Sequence, residues 1–281
     1  MRLEELPEVP GVRHRMVAAN GINLHVAEAG EGPPLLLVHG WPQHWWIWRR
    51  VIRPLAQRYR VLAPDLRGHG WSDAPPGDYA KTTFAADLLA LLDAEGIERT
   101  RIIAHDWGGY AAFLLALEHP ERVERLIGLD IVPPWRTPPH PGGLLVPLAL
   151  IYQLPIVAPF LGRWLMRSGR FVPALIRLGS GPDKHWTAEE LRAYAEPLSE
   201  PDRARASVQI YRTFQRREML AALRRPAPRD IPAMLVMGAA SVFHQIMGDT
   251  GLRVELVPRA GHFLAEEKPD ELLRLAEAYF A

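Results

Sequence analysis

The sequence contains no cysteine in 281 residues. Disulfides, a thiol nucleophile and thiolate–metal sites are therefore excluded. It also lacks an excess of either charge: 33 basic residues are interspersed with 32 acidic ones, which argues against a nucleic-acid footprint. No internal repeat or low-complexity tract is present. The opening stretch, MRLEELPEVPGVRHR, has no apolar run of the kind a signal peptide needs, so a cytoplasmic protein is the expectation. Charge is also missing locally. From Thr137 to Gly162 there is no formally charged residue, and GGLLVPLALIYQLPIVAPFLG has the length of a membrane span. Pro147, Pro155 and Pro159 divide that run, and a helical lid over an apolar pocket is expected there instead of stable membrane insertion. The hydrophobic content of 48% suffices for one large core with an inserted subdomain.

Short apolar runs alternate with amphipathic helical patterns, the signature of a mostly parallel α/β sheet flanked by helices. VRHRMVAANGINLHVAEAG reads as a hairpin turning at Asn20-Gly21. PLLLVHG, YRVLAP, TRIIAH and VERLIGLDI read as buried strands, with a Trp-rich helix from about Gln43 and a helix TTFAADLLALLDAEG stopped by Gly96. Residues 133–227 are rich in proline, arginine and helical patterns and show no convincing strand. Strand texture returns in IPAMLVMG and LRVELVPRAG, and PDELLRLAEAYF closes the chain as a helix. The expected division is a core of residues 1–132 and 228–281 with a helical cap, 133–227, inserted between them.

The stretch IIAHDWGGYAAF has the form of a nucleophile elbow, strand to tight turn to helix, with one substitution. Asp106 stands where serine is usual, between Ala104 and the glycines Gly108 and Gly109. An aspartate could merely cap the helix, but capping does not account for the small residues around it. Serine needs a base before it can attack; an aspartate is already ionised at neutral pH and can displace a leaving group at an sp³ carbon, forming an alkyl–enzyme ester. His262, in RAGHFLAEEKPDEL, follows the last strand and holds the position of the general base in the order nucleophile–acid–histidine. HGWP, His39 to Pro42, ends the third strand. Backbone N–H groups of Trp41 and Trp107 are the candidate oxyanion hole.

Taken together, HGWPQHWWIWRR, DLRGHGWSD, HDWGG and AGHFLAEEKP resemble the α/β-hydrolase superfamily, specifically its aspartate-nucleophile branch of epoxide hydrolases and haloalkane dehalogenases. The resemblance covers nearly the whole chain and implies an eight-stranded, mostly parallel sheet with a helical cap. It also bears on the acid. Many relatives carry that acid after the seventh strand as glycine–x–x–Asp, a slot filled here by Ser241 in MLVMGAASVF. Asp130, at the end of GLDIVPP, matches the alternative seat after the sixth strand that some relatives use; Asp249 is a remote second choice, and Asp130 could also be a simple strand cap.

The same resemblance separates two reactions. Epoxide hydrolases protonate the departing oxygen with two cap tyrosines, and Tyr211 in QIYRTFQRR and Tyr152 in ALIYQLP are similar to that pair. A halide leaves without a proton, so a dehalogenase is the alternative. The arginine clamp of fluoroacetate dehalogenases is absent, because Trp107 and Tyr110 occupy its positions. A non-catalytic or differently catalytic member binding a small hydrophobic ligand is a lower alternative. The expectation is thus a hydrolase that needs no cofactor and no metal. It takes a small hydrophobic substrate and has no nucleic-acid partner; a homodimer is allowed.

Overall fold

A computed structural model describes residues 6–137, 151–228 and 230–281. The expected uncharged lid falls partly outside them: residues 138–150, with Pro147, are not among those described. Eight strands form one sheet: β1 (Arg13–Ala19), β2 (Ile22–Ala29), β3 (Pro34–Val38), β4 (Arg60–Pro64), β5 (Thr100–His105), β6 (Val123–Leu129), β7 (Ala233–Gly238) and β8 (Arg253–Val257). Their spatial order is β1-β2-β4-β3-β5-β6-β7-β8. β2 runs antiparallel to both its neighbours, and β4 to β8 with β3 are all parallel.

Local sequence accounts for these elements. The β1–β2 hairpin pairs Ala19 with Ile22 and turns through Asn20 and Gly21, both at positive φ (48° and 75°), as a two-residue turn between twisted strands requires. β3 is apolar without alternation because both its faces are covered. Leu36 and Val38 join the core beneath α2 (Lys81–Ala94) and α3 (Asp106–Glu118), while Leu35 and Leu37 join Trp45, Trp48 and Phe280 on the other face. α2 stops where Gly96 adopts a φ of 63°, a common helix ending.

The expected Trp-rich helix is not one helix. A 3₁₀ turn, Trp45–Trp48, is followed by a single turn, α1 (Ile52–Leu55). The Trp45 N–H is taken by Asp65 Oδ1 at 2.7 Å, and Pro54 offers no N–H to a longer ladder. Between β6 and β7 the described residues form helices only, among them Gln153–Val157, Leu161–Arg167, Phe171–Gly179, Ala188–Ala195 and Pro201–Thr213. The last continues into a π-helical turn, Phe214–Glu218. None of the described helices is long and apolar enough to cross a membrane.

The sheet and α3 meet at very short range. A Cβ on Gly108 would lie 2.1 Å from the His39 carbonyl oxygen, and one on Gly40 would lie 2.3 Å from the Asp106 Cβ. Gly108→Ala should therefore cost about 1–3 kcal/mol through overpacking, read as a lower urea midpoint at unchanged slope. An unchanged midpoint would show that α3 can retreat from β3 freely.

Candidate active site

Asp106 is the first residue of α3, immediately after β5, and its φ of 49° puts an ordinary L-residue in the left-handed region. That conformation costs about 1–3 kcal/mol and turns the side chain across the carboxyl end of β3. There the Trp41 N–H donates to Oδ1 at 2.9 Å, and the Trp107 N–H also donates to the carboxylate. The α3 N-terminus adds its positive end. Burial raises the Asp106 carboxyl above the usual aspartate range; nearby His262, the two N–H groups and Lys81 oppose that rise without cancelling it.

His262 stands on the loop after β8 with Nδ1 2.7 Å from Asp130 Oδ2 and Nε2 3.7 Å from Asp106 Oδ2. Asp130 follows β6, is fully buried and has a φ of 44°. Its carboxylate also accepts from the Ser241 hydroxyl at 2.6 Å and the Gly238 N–H at 3.2 Å. An ionised carboxylate only accepts, so the 2.7 Å contact requires a donor at Nδ1, which assigns a ring proton there and turns Nε2 toward Asp106. Burial works against the imidazolium, but the Asp130 hydrogen bond and charge, with Asp106, hold His262 above its ordinary value. Asp249, the second choice, sits in an exposed turn where it accepts from the Gly251 N–H.

The loop carrying His262 is held from outside the sheet. The His262 N–H donates to the Gly179 carbonyl at 2.7 Å. Glu267 accepts from the backbone N–H groups of Gly181, Gly261 and Phe263. His105 lies against the imidazole, its ring tilted by 49° at 4.5 Å between centroids, and bonds the His262 carbonyl through Nε2.

A cavity of about 400 Å³ opens above Asp106 and His262, walled by Trp41, Leu175, Ile176 and Phe243. Tyr152 and Tyr211 line it too. Tyr211, only 1% exposed, meets Trp41 edge-on at 5.1 Å and Tyr152 at 6.0 Å. Burial, with the Asp106 charge, pushes the Tyr152 phenol up to about 12 and Tyr211 well above its ordinary value. Asp106, His262, Asp130, Trp41, Trp107, Tyr152 and Tyr211 thus gather at one place, and Asp249 does not. Three neighbours escaped the sequence reading: Ser241, read only as a missing acid, and the buried pair Lys81 and Glu218. Among the described residues no three His, Asp or Glu side chains converge to hold a metal ion.

Asp106, His262 and the Trp41 and Trp107 N–H groups all lie at the carboxyl ends of parallel strands, the arrangement of an α/β hydrolase. The family model for the α/β hydrolase fold matches residues 33–155. A soluble epoxide hydrolase of Corynebacterium sp. (strain C12) is 31% identical over 96% of this chain and 98% of its own. Among solved structures, the epoxide hydrolase CorEH without ligand superposes with a TM-score of 0.82 at 30% identity, covering 96% of this chain and 98% of that one. Epoxide hydrolase VrEH1 from Vigna radiata gives 0.82 at 26% identity, covering 97% and 99%. The chain belongs to the α/β-hydrolase family, and within it is an epoxide hydrolase-like enzyme.

The Asp130 contact generates a direct test. In Asp130→Asn the His262 midpoint should fall by about 1–3 pH units, the usual effect of removing an opposite charge at this distance. Asp249→Asn should leave it in place. Histidine ring ¹⁵N shifts followed across pH measure both, and a shift in the second variant alone would reverse the assignment.

Proposed function

We propose that the protein hydrolyses an epoxide of a hydrophobic substrate to a vicinal diol through an ester on Asp106. The observation that carries this reading is the opposed environment of the two Asp106 oxygens. Oδ1 takes the Trp41 N–H, while Oδ2 faces the His262 Nε2 beneath two phenols. Residues 133–227 act as the cap that supplies those phenols to a core built from residues 1–132 and 228–281.

In the first step an Oδ2 lone pair forms a bond to an epoxide carbon. The broken C–O pair stays on the ring oxygen, which takes a proton from Tyr152 or Tyr211. The apolar cavity keeps water from competing and strengthens these contacts. Forming the ester removes the Asp106 charge, one of the influences that favour the imidazolium, and so shifts His262 toward the neutral form that can act as a base. Nε2 then takes a proton from water, the hydroxide attacks Cγ, and the charge that develops on Oδ1 is met by the Trp41 and Trp107 N–H groups. Collapse of the tetrahedral intermediate expels the alkoxide, which takes the hydroxyl proton left on the Asp106 carboxyl, and the imidazolium proton returns to the tyrosinate, so that diol, carboxylate, neutral histidine and phenol are all restored.

A second reading has one observation in its favour. The Trp41 indole N–H is buried and has no hydrogen-bond partner among the described residues, and a halide needs only such a weak donor. Assaying a terminal epoxide and a 1-haloalkane side by side, for diol and for halide, separates the two.

Both half-reactions should weaken toward acid. A protonated Asp106 cannot attack and a charged His262 cannot take a proton, so turnover should rise with pH through their raised midpoints; a flat profile from pH 4 to 8 contradicts these roles. His262→Gln should alkylate and stall, with enzyme plus one substrate mass visible by mass spectrometry. Tyr152→Phe or Tyr211→Phe should slow alkylation roughly 10²–10³-fold and affect ester hydrolysis less. Wild-type alkylation rates in both variants would remove the phenols from the mechanism and favour dehalogenation.

A further inference from the structure

Behind the wall of the cavity lies a lysine with no exposed surface. Lys81 is the first residue of α2, and its Nζ donates to Glu218 Oε2 and to the Ile210 carbonyl, both at 2.8 Å. The ammonium also sits 4.4 Å from the centroid of the Trp107 ring and 5.3 Å from that of Phe214. Glu218 holds the same residue twice, because its Oε1 accepts the Lys81 backbone N–H at 2.6 Å. It thereby caps α2, whose N-cap residue Ala80 has no side chain to do so.

A buried ion pair is a weak source of stability, since apolar residues of similar volume often pack as well. Its better-attested use is to fix register. Each contact of this ammonium bears on the site above. Trp107 follows the Asp106 carboxylate in the chain and gives it an N–H, Ile210 precedes Tyr211, and Glu218 ends the π-helical turn that follows the Tyr211 helix. A π-helical turn is itself frequent at functional sites. The charged groups acting on Lys81 are Glu218, Asp106 and Asp78, and Asp78 is itself paired with Arg217. Those around Asp106 are His262 and Lys81, with the neutral phenols of Tyr152 and Tyr211. Burial draws the Lys81 ammonium below its ordinary range, and Glu218 and Asp106 oppose that, in a site where charge is little screened.

We propose that Lys81 is a positioning residue for this chemistry: clamped by Glu218, its ammonium seats the Trp107 indole and the Ile210–Tyr211 peptide and keeps the nucleophile ionised before substrate arrives. The inference rests on Asp106 being the nucleophile of the proposed reaction, so it is tested first without any substrate.

The test is a ¹³C NMR titration of the Asp106 carboxyl in aspartate-labelled protein, with the resonance assigned through Asp106→Asn. In Lys81→Met the apparent Asp106 midpoint should rise by about one pH unit, the scale expected for loss of one nearby charge at an effective dielectric constant near 20. In Lys81→Arg, which keeps a cation, the midpoint should stay near that of the wild type. A merely structural pair would not separate the charged replacement from the uncharged one. If Lys81→Met does not fold, Lys81→Gln, which also removes the charge, takes its place. Midpoints unmoved in every folded uncharged variant, or moved as far in Lys81→Arg as in the uncharged variants, overturn the proposal even if thermal stability falls.

The second readout is pre-steady-state alkylation by the best epoxide found. Lys81→Met should slow it up to roughly 10-fold at pH values below the Asp106 midpoint, matching a one-unit shift, with recovery at pH values above it and little change in ester hydrolysis. An equal loss on both sides of the midpoint overturns the electrostatic part. If no epoxide alkylates even the wild type, the proposed function fails, while the titration still decides the role of Lys81.

Discussion

A carboxyl group buried at the floor of an apolar cavity is the constraint from which the rest of the site follows. Burial alone favours the protonated acid, and the surroundings of Asp106 counter it from several directions. Two backbone N–H groups and the N-terminus of α3 act from below, His262 acts across the cavity, and Lys81 acts from behind the wall. Each requires backbone to come close, which explains why Gly40 and Gly108 flank the elbow and why Asp106 accepts a left-handed φ. The balance is deliberately incomplete in chemical terms. A carboxylate fully satisfied by hydrogen bonds would be a poor nucleophile, and here only Oδ1 is held directly by the HGWP loop.

The histidine partner shows the same economy with a different distribution of parts. Where many relatives place an acid after the seventh strand, this chain has Ser241, and the charge comes from Asp130 after the sixth. The serine is not idle: its hydroxyl reaches the very oxygen that faces His262 Nδ1. Charge and hydrogen bond have been separated onto neighbouring strands, β6 and β7, which pair in register from Leu126–Ala233 to Leu129–Val236. Because the pairing is parallel, both strand ends arrive on the same edge of the sheet.

Much of this was legible from residue order because local rules and global fold agree. The hairpin at Asn20-Gly21, the continuous apolar strands, the Gly96 stop and the elbow around Asp106 all follow from backbone requirements within a few residues. Where packing overrode local pattern, the reading failed. The tryptophans after Gln43 suggested one helix, but Asp65, some twenty residues on, holds the first N–H of a separate 3₁₀ turn, and Pro54 has no N–H to join that turn to the next in one ladder. Ser241 was visible as an absent acid and not as a donor, since its partner lies 111 residues away. The Lys81–Glu218 pair had no signal at all. Its members are 137 residues apart, and a lysine is a residue that composition places on the surface.

The loop that carries His262 has a mechanical consequence. Its backbone N–H is tied to the Gly179 carbonyl at the end of the Phe171–Gly179 helix, and Glu267 bridges Gly181 to Gly261 and Phe263. Gly261 and Gly181 are so near that a Cβ on Gly261 would lie 2.4 Å from the Gly181 nitrogen. Lifting that helix as a rigid flap would drag the imidazole off Asp130 and disarm the site at the moment of entry. This edge is a weld: the Phe171–Gly179 helix and the imidazole it anchors can move only together.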